Sequence, residues 1–233
     1  MQILPQQAMG YDRTITVWSP DGRLLQVEYA KKTVSHGALT LGISCKDGVL
    51  LVSDRRITEK LMIAESVHKI SQIDDQLAAS FAGFTSDARV ILKKCRVFAQ
   101  QHKLTYGEAT DVEGIVKFVS DMEQAYTQYG GIRPFGIAFL FAGHDKKGLH
   151  LFETDPSGIY TEYRAHAIGM GSPEANKLLE KKYRENMSIE DAKAAALDIF
   201  KEILAKEYSL ERLEAAVITT KGFQKVEMKA GKE

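Results

Sequence analysis

Few side chains in this 233-residue sequence could carry chemistry, and their spacing excludes more reactions than it suggests. The six histidines are scattered, with no pair at metal-ligand spacing and no His-Glu-x-x-His run, so no metal centre is expected. Cys45 and Cys95 lie in apolar contexts, which argues against a disulfide framework or a Cys-based metal site and fits a reducing cytoplasm. Gly169-Met170-Gly171-Ser172 has two glycines of a phosphate loop but lacks the third Gly or the Lys-Ser/Thr ending, and reads as a strand-to-helix turn. Asp54-Arg55-Arg56 and Lys69 set opposite charges at the ends of apolar runs, where a structural ion pair or a solvated strand end would account for them. Lys93-Lys94 and Lys181-Lys182 are solvated faces, and Tyr126 and Tyr129 are packing residues. No cofactor is implied.

Composition narrows the class further. The 31 basic and 31 acidic residues cancel, so no global field favours nucleic acid or an anionic membrane surface. A hydrophobic fraction of 44% over this length suffices for one domain with a sizeable core. Residues 1–10 lack a signal-peptide pattern, and no apolar run approaches the roughly 18 residues of a membrane span. Residues 1–9 are polar and nonperiodic, and read as a mobile terminus.

The elements that must position these groups begin at Ser19-Pro20-Asp21-Gly22, which matches a type I turn position by position. Leu24, Val27, Ala30 and Val34 then recur at helical spacing, and Gly37 ends that amphipathic helix. Its apolar stripe has no obvious partner within the chain. Two hairpins are expected from strands at 39–44 and 49–53, around Asp47-Gly48, and at 69–73 and 77–81. A helix capped by Thr85 or Ser86 runs to His102, and a second, with a Thr110 to Glu113 capping box, runs to Gly130-Gly131. Strands at 135–142, 149–154, 159–163 and 165–168 read as a four-strand antiparallel meander. Ser172-Pro173-Glu174 opens a helix to about Tyr183, Ser188 opens another, and strands at 215–220 and 223–228 close the chain. Strands, two helices, strands, two helices, strands is the order of an α+β layered domain.

One resemblance covers nearly all of this. Tyr11-Asp12-Arg13, Ser19-Pro20-Asp21-Gly22-Arg23 and Gln26-Val27-Glu28-Tyr29-Ala30 are similar, without gaps, to the N-terminal signature of proteasome α-type subunits, archaeal ones in particular. The similarity continues through Asp87-Ala88-Arg89-Val90, the 126–136 segment ending in Arg133-Pro134-Phe135-Gly136, and Asp155-Pro156-Ser157-Gly158. It implies the N-terminal-nucleophile hydrolase fold: a four-layer α-β-β-α sandwich of two antiparallel sheets with helices outside, over 37–233. A gate segment and an N-terminal helix, over 1–36, would precede it.

The resemblance also implies a role for individual residues. Catalytic relatives, the β-type subunits, use an N-terminal threonine as nucleophile with its own amine as base. Ala38 stands at that position here, so no catalytic residue is expected. Tyr11, Asp12, Pro20 and Tyr29 match a cluster that braces the axial gate. Lys69 matches a lysine that holds the C-terminal carboxylate of an activating AAA ATPase, in a pocket lined also by Gly37, Glu28 and Gly83. Trp18 stands where Phe is usual, and Phe84-Thr85-Ser86 replaces a more aliphatic triplet beside Gly83. The expected protein is a non-catalytic cytoplasmic subunit. It would form a homo-heptameric ring, stack on proteasome β subunits, dock the ATPase and admit unfolded protein substrates, with no nucleic acid or membrane partner. The alternatives are an active threonine peptidase in which processing exposes Thr40, and a free-standing scaffold ring without β subunits.

Overall fold

The computed structural model describes residues 10, 14–57, 59 and 61–228. Helix α1 (Leu25–Ser35) is followed by β1 (Thr40–Ser44), β2 (Val49–Asp54), β3 (Ile70–Asp74) and β4 (Leu77–Gly83). Helices α2 (Thr85–Tyr106) and α3 (Val112–Gln128) come next, then β5 (Ile137–Asp145), β6 (Gly148–Thr154), β7 (Tyr160–Glu162) and β8 (Ala165–Ile168). Helices α4 (Ser172–Lys182) and α5 (Ile189–Leu204) precede β9 (Leu213–Thr219) and β10 (Gly222–Val226). None of the described helices is long and apolar enough to cross a membrane.

All strand pairs are antiparallel, in two five-stranded sheets ordered β10-β9-β2-β1-β8 and β3-β4-β5-β6-β7. The period of two along each strand divides its side chains between two buried layers. Leu41, Ile43, Leu50 and Val52 face α4 and α5, meeting Ala175, Ala192, Ala196 and Phe200. Phe81, Phe139 and Phe141 face α2 and α3, meeting Ile91, Cys95, Ile115 and Val119. Between the sheets lie Val49, Leu51, Ala78, Ala82, Ala138, Leu140, Ala142 and Ala216. The result is the expected α-β-β-α sandwich, preceded by a helix. The sheets approach closely: a Cβ on Gly42 would come within 2.5 Å of the Leu151 side chain on the opposite sheet.

Four local expectations change. The meander stops at β7, because β8 crosses to the other sheet and pairs with β1, Thr40 opposite Ile168. That crossing joins the two sheets' edges, which local sequence cannot foretell. Neither Thr85 nor Ser86 caps α2. Phe84 stands at the N-cap without a side-chain bond, and Asp87 in the first turn instead accepts from Arg133, at 2.7 Å on each oxygen, and from the Gly136 N–H. Helix α3 is capped by Asp111, which accepts from Gly114 N, with Asp145 accepting from Val112 N, so Thr110 makes no capping box. Helix α1 does find a partner within the chain. Leu25, Val27 and Ala30 are buried, Leu24 only half so, and the helix lies on β4 and β5 with Val34 against the inter-sheet core.

Helix α3 also carries a polar group into its apolar face. Glu123 is 0% exposed. Its Oε1 meets only the Thr154 hydroxyl at 3.4 Å, and its Oε2 has no partner among the described residues. Burial, helped by Asp155, raises its pKa well above the ordinary 4.5. The folded chain therefore keeps a proton that the unfolded chain releases, and stability falls as pH rises past the ordinary value. Glu123→Gln is expected to raise the melting temperature at pH 7.5, and the gain should shrink towards zero at pH 4. Equal effects at both pH values would contradict this account.

Candidate functional site

The candidate residues lie on the turn before α1, on α1 itself, at the Gly37–Gly83 contact after it, and at Lys69 before β3. Gly22 leaves the Ser19-Pro20-Asp21-Gly22 turn at φ +72, with Gly22 N donating to Ser19 O at 2.8 Å and Arg23 N to Ser19 Oγ at 3.1 Å. Pro20 is exposed on that turn, and Tyr29 lies at the surface of α1. Tyr11 and Asp12 lie outside the described residues. Glu28, on the same helix, is bound in a bidentate pair to Arg23.

Gly37 is locked by its surroundings. Its N–H donates to Val34 O, its carbonyl accepts from Met170 N, and a Cβ on it would fall 2.2 Å from Gly83 N. Gly83 (φ +115) is equally confined, since a Cβ there would meet Gly136 O at 2.1 Å. These glycines let the end of α1 and strand β4 touch backbone to backbone. Ala38 follows, buried just before β1.

Behind Ala38 runs a buried line of hydroxyls. Thr40 Oγ1 lies 3.0 Å from Ser53 Oγ and 3.4 Å from Phe81 O; Ser53 Oγ lies 2.5 Å from Ser80 Oγ; and Ser80 donates to Lys69 O at 2.9 Å. Each of the three hydroxyl residues is 0% exposed. With every hydroxyl engaged, the line serves to satisfy polar groups across the inter-sheet layer.

Two charged groups of the sequence part company here. Asp54 is a structural anion: Arg212 binds both its oxygens, at 3.0 and 2.7 Å, and Arg56 N donates to it at 2.8 Å. Lys69 is different. It is 6% exposed, yet no acceptor lies within hydrogen-bond or ion-pair reach of its ammonium among the described residues. Nζ sits 3.8 Å from the centre of the Phe81 ring instead. Burial pushes its pKa down from 10.5 to about 8, with Asp54 and Glu214 acting more weakly upwards and Arg56 downwards. Lys69 borders a recess of about 390 Å³ between β3, at the edge of its sheet, and α2, floored by Phe81, Ala88 and Leu92.

None of Gly37, Gly83 and Glu28 lines the Lys69 recess; Gly37 and Gly83 touch each other, and Glu28 is bound to Arg23. The residues that fix Lys69 do not stand out in the sequence. Glu214 Oε2 accepts from Lys69 N at 2.6 Å and Ile70 N at 3.2 Å; a lone acid inside the apolar run of β9 was the available signal. Arg212 carried none, because its partner is far away in sequence. His68 lies 3.9 Å from Glu214 and Lys225 lies 3.4 Å from it. Among the described residues no cluster of His, Cys, Asp and Glu could hold a metal ion.

The two charged groups predict opposite mutational behaviour. Holding Lys69 charged costs the fold on the order of 3 kcal/mol at pH 7. Lys69→Met should therefore raise the melting temperature at pH 7. Because the folded amine titrates near 8 and the unfolded one near 10.5, the gain should fade as pH climbs between those values. Asp54→Asn should instead destabilise by about 1–3 kcal/mol, since Arg212 then keeps only Glu207 as a charged partner among the described residues. A melting-temperature loss for Lys69→Met at pH 7 would make that lysine structural.

The comparisons with known proteins agree with this architecture. The proteasome subunit family model matches residues 34–218, and the model of the N-terminal signature of the proteasome's α-type subunits matches residues 11–32. The proteasome alpha subunit of Methanopyrus kandleri is 48% identical over 229 residues, 98% of this chain and 93% of that one. Its counterpart in Methanocaldococcus jannaschii is 47% identical over 96% of this chain and 85% of that one. That of Thermococcus sibiricus is 50% identical over 95% and 84%. With a match spanning most of its sheets and helices and the α-type signature at its start, the chain belongs to the proteasome subunit family.

Proposed function

We propose that this chain is a non-catalytic α-type subunit of a proteasome core. Copies of it form a heptameric outer ring on a ring of β subunits, restrict the entry of unfolded protein, and receive the C-terminal tail of an activating ATPase. The division into a gate segment with its helix over 1–36 and a sandwich over 37–233 belongs to this reading. So does the bracing of the gate by Tyr11, Asp12, Pro20 and Tyr29.

The observation that carries the docking role is the Lys69 ammonium, which has no acceptor among the described residues. A cation largely withdrawn from water, with no acceptor among the described residues, is costly to hold, and a bound carboxylate would reduce that cost. The close contact of Gly37 with Gly83 supports a rigid backbone at the end of α1. Glu28 joins the pocket, on this reading, from a neighbouring copy.

The non-catalytic role is supported by Ala38 and by the locked backbone before it. Gly37 is hydrogen-bonded on both sides and α1 is packed down, so residues 25–37 are poor candidates for a cleavable leader. Thr40, the nucleophile of the competing peptidase reading, is fully buried with its hydroxyl engaged by Ser53 and Phe81 O. Exposed apolar side chains, among them Trp18, Leu61, Ile63, Val97 and Leu104, are what an assembling protomer would carry.

Native mass spectrometry of the purified chain, with peptide hydrolysis assayed on the same sample, tests this reading. A ring-sized mass, an intact Met1 terminus and no hydrolysis are expected. A chain beginning at Thr40 and hydrolysing peptides would overturn it.

A further inference from the structure

The recess beside Lys69 carries more positive charge than one terminal carboxylate needs. Its rim includes Arg89 and Arg96 from α2, and among the described residues no Asp or Glu lines it. Arg89 and Arg96 are exposed, and neither forms a salt bridge among the described residues. Arg96 spends one donor on Gln72 O at 2.9 Å, which holds the head of its side chain beside β3 and leaves its other N–H groups available. A carboxylate on Lys69 would balance Lys69 alone.

The two arginines lie seven positions apart on one helix. At about 1.5 Å of rise per residue this separates them by roughly 10 Å along the axis, the length of about three residues of extended chain. A tail that places its terminal carboxylate on Lys69 and leaves along α2 would therefore pass both guanidiniums within its last few residues. The floor of Phe81, Ala88 and Leu92 offers apolar contact to the side chains between.

We propose that Arg89 and Arg96 read a second negative charge on the docked tail, an Asp or Glu within about four residues of its terminus, and so set which C-terminal segments this site accepts. The inference rests on the reading of Lys69 as the carboxylate receptor. Lys69 and the arginines then divide the work: the buried ammonium recognises any chain end, and the exposed guanidiniums select among chain ends by a screened interaction.

Fluorescence anisotropy on the full-length chain tests it with four synthetic peptides. They share apolar terminal residues, carry Glu or Gln at the third position from the end, and finish in a free carboxylate or a carboxamide. At low salt the Glu peptide with a free carboxylate should bind about fivefold tighter than its Gln counterpart, as expected for two partly exposed ion pairs. The ratio should fall towards one at 0.5 M salt and in Arg89→Gln/Arg96→Gln, while the Gln peptide binds that variant as it binds the parent. Equal binding of the Glu and Gln peptides, with the carboxamides still excluded, would overturn this inference and leave the Lys69 reading standing. No preference for carboxylate over carboxamide would overturn both.

Discussion

The close stacking of two five-stranded sheets governs this molecule. Alanines and glycines fill much of the layer between them, Ala78, Ala82, Ala138, Ala142, Ala216 and Gly42 among them, so the sheets approach until backbone and small side chains touch. Helices on both outer faces then cover the strands' other sides. Such a layer leaves little room for water around an unpaired polar group, and an unsatisfied one would cost about 1–3 kcal/mol. Thr40, Ser53 and Ser80 therefore bond to one another and to backbone carbonyls. The same tightness confines Gly37 and Gly83, so that the end of α1 is fused to the start of the sandwich.

Against that background the contrast between Asp54 and Lys69 is informative. Both lie at strand ends in the same region, and each could have neutralised the other. The chain gives Asp54 a bidentate arginine from the other end of the sequence and leaves Lys69 on an aromatic ring beside a recess. A structural cation would have been paired in the same way as Arg133 is with Asp87. A buried lysine whose ammonium has no acceptor among the described residues is suited to receiving an anion, as the proposed docking role requires.

Much of the architecture was legible in the sequence because it depends on short-range rules. The Ser19-Pro20-Asp21-Gly22 turn, the Asp47-Gly48 hairpin and the apolar periodicities of α2 and α3 each follow from spacing within a dozen residues, and all formed as read. The order of strands and helices was enough for the layered class. What escaped depends on contacts between distant segments. Strand β8 looked like a fourth meander strand because nothing local distinguishes continuing in one sheet from crossing to its neighbour. Thr85, Ser86 and Thr110 had capping chemistry, but Asp87 bound Arg133 across the fold and Asp111 took the place of Thr110. At the site, Lys69 was found through a resemblance. Its lack of a partner, and the arginines around it, became visible only once β3 and α2 were placed side by side.

The docking role depends on a Lys69 ammonium without an acceptor among the described residues, and the most direct measurement is the titration of that amine in the full-length chain. Competitive labelling with trace acetic anhydride across pH, read at Lys69 by peptide mass spectrometry, reports it without a mutation. The account predicts an inflection near pH 8 that moves upward when a peptide with a free C-terminal carboxylate is added and stays put with its carboxamide. An inflection at the ordinary lysine value, indifferent to the peptide, would contradict it.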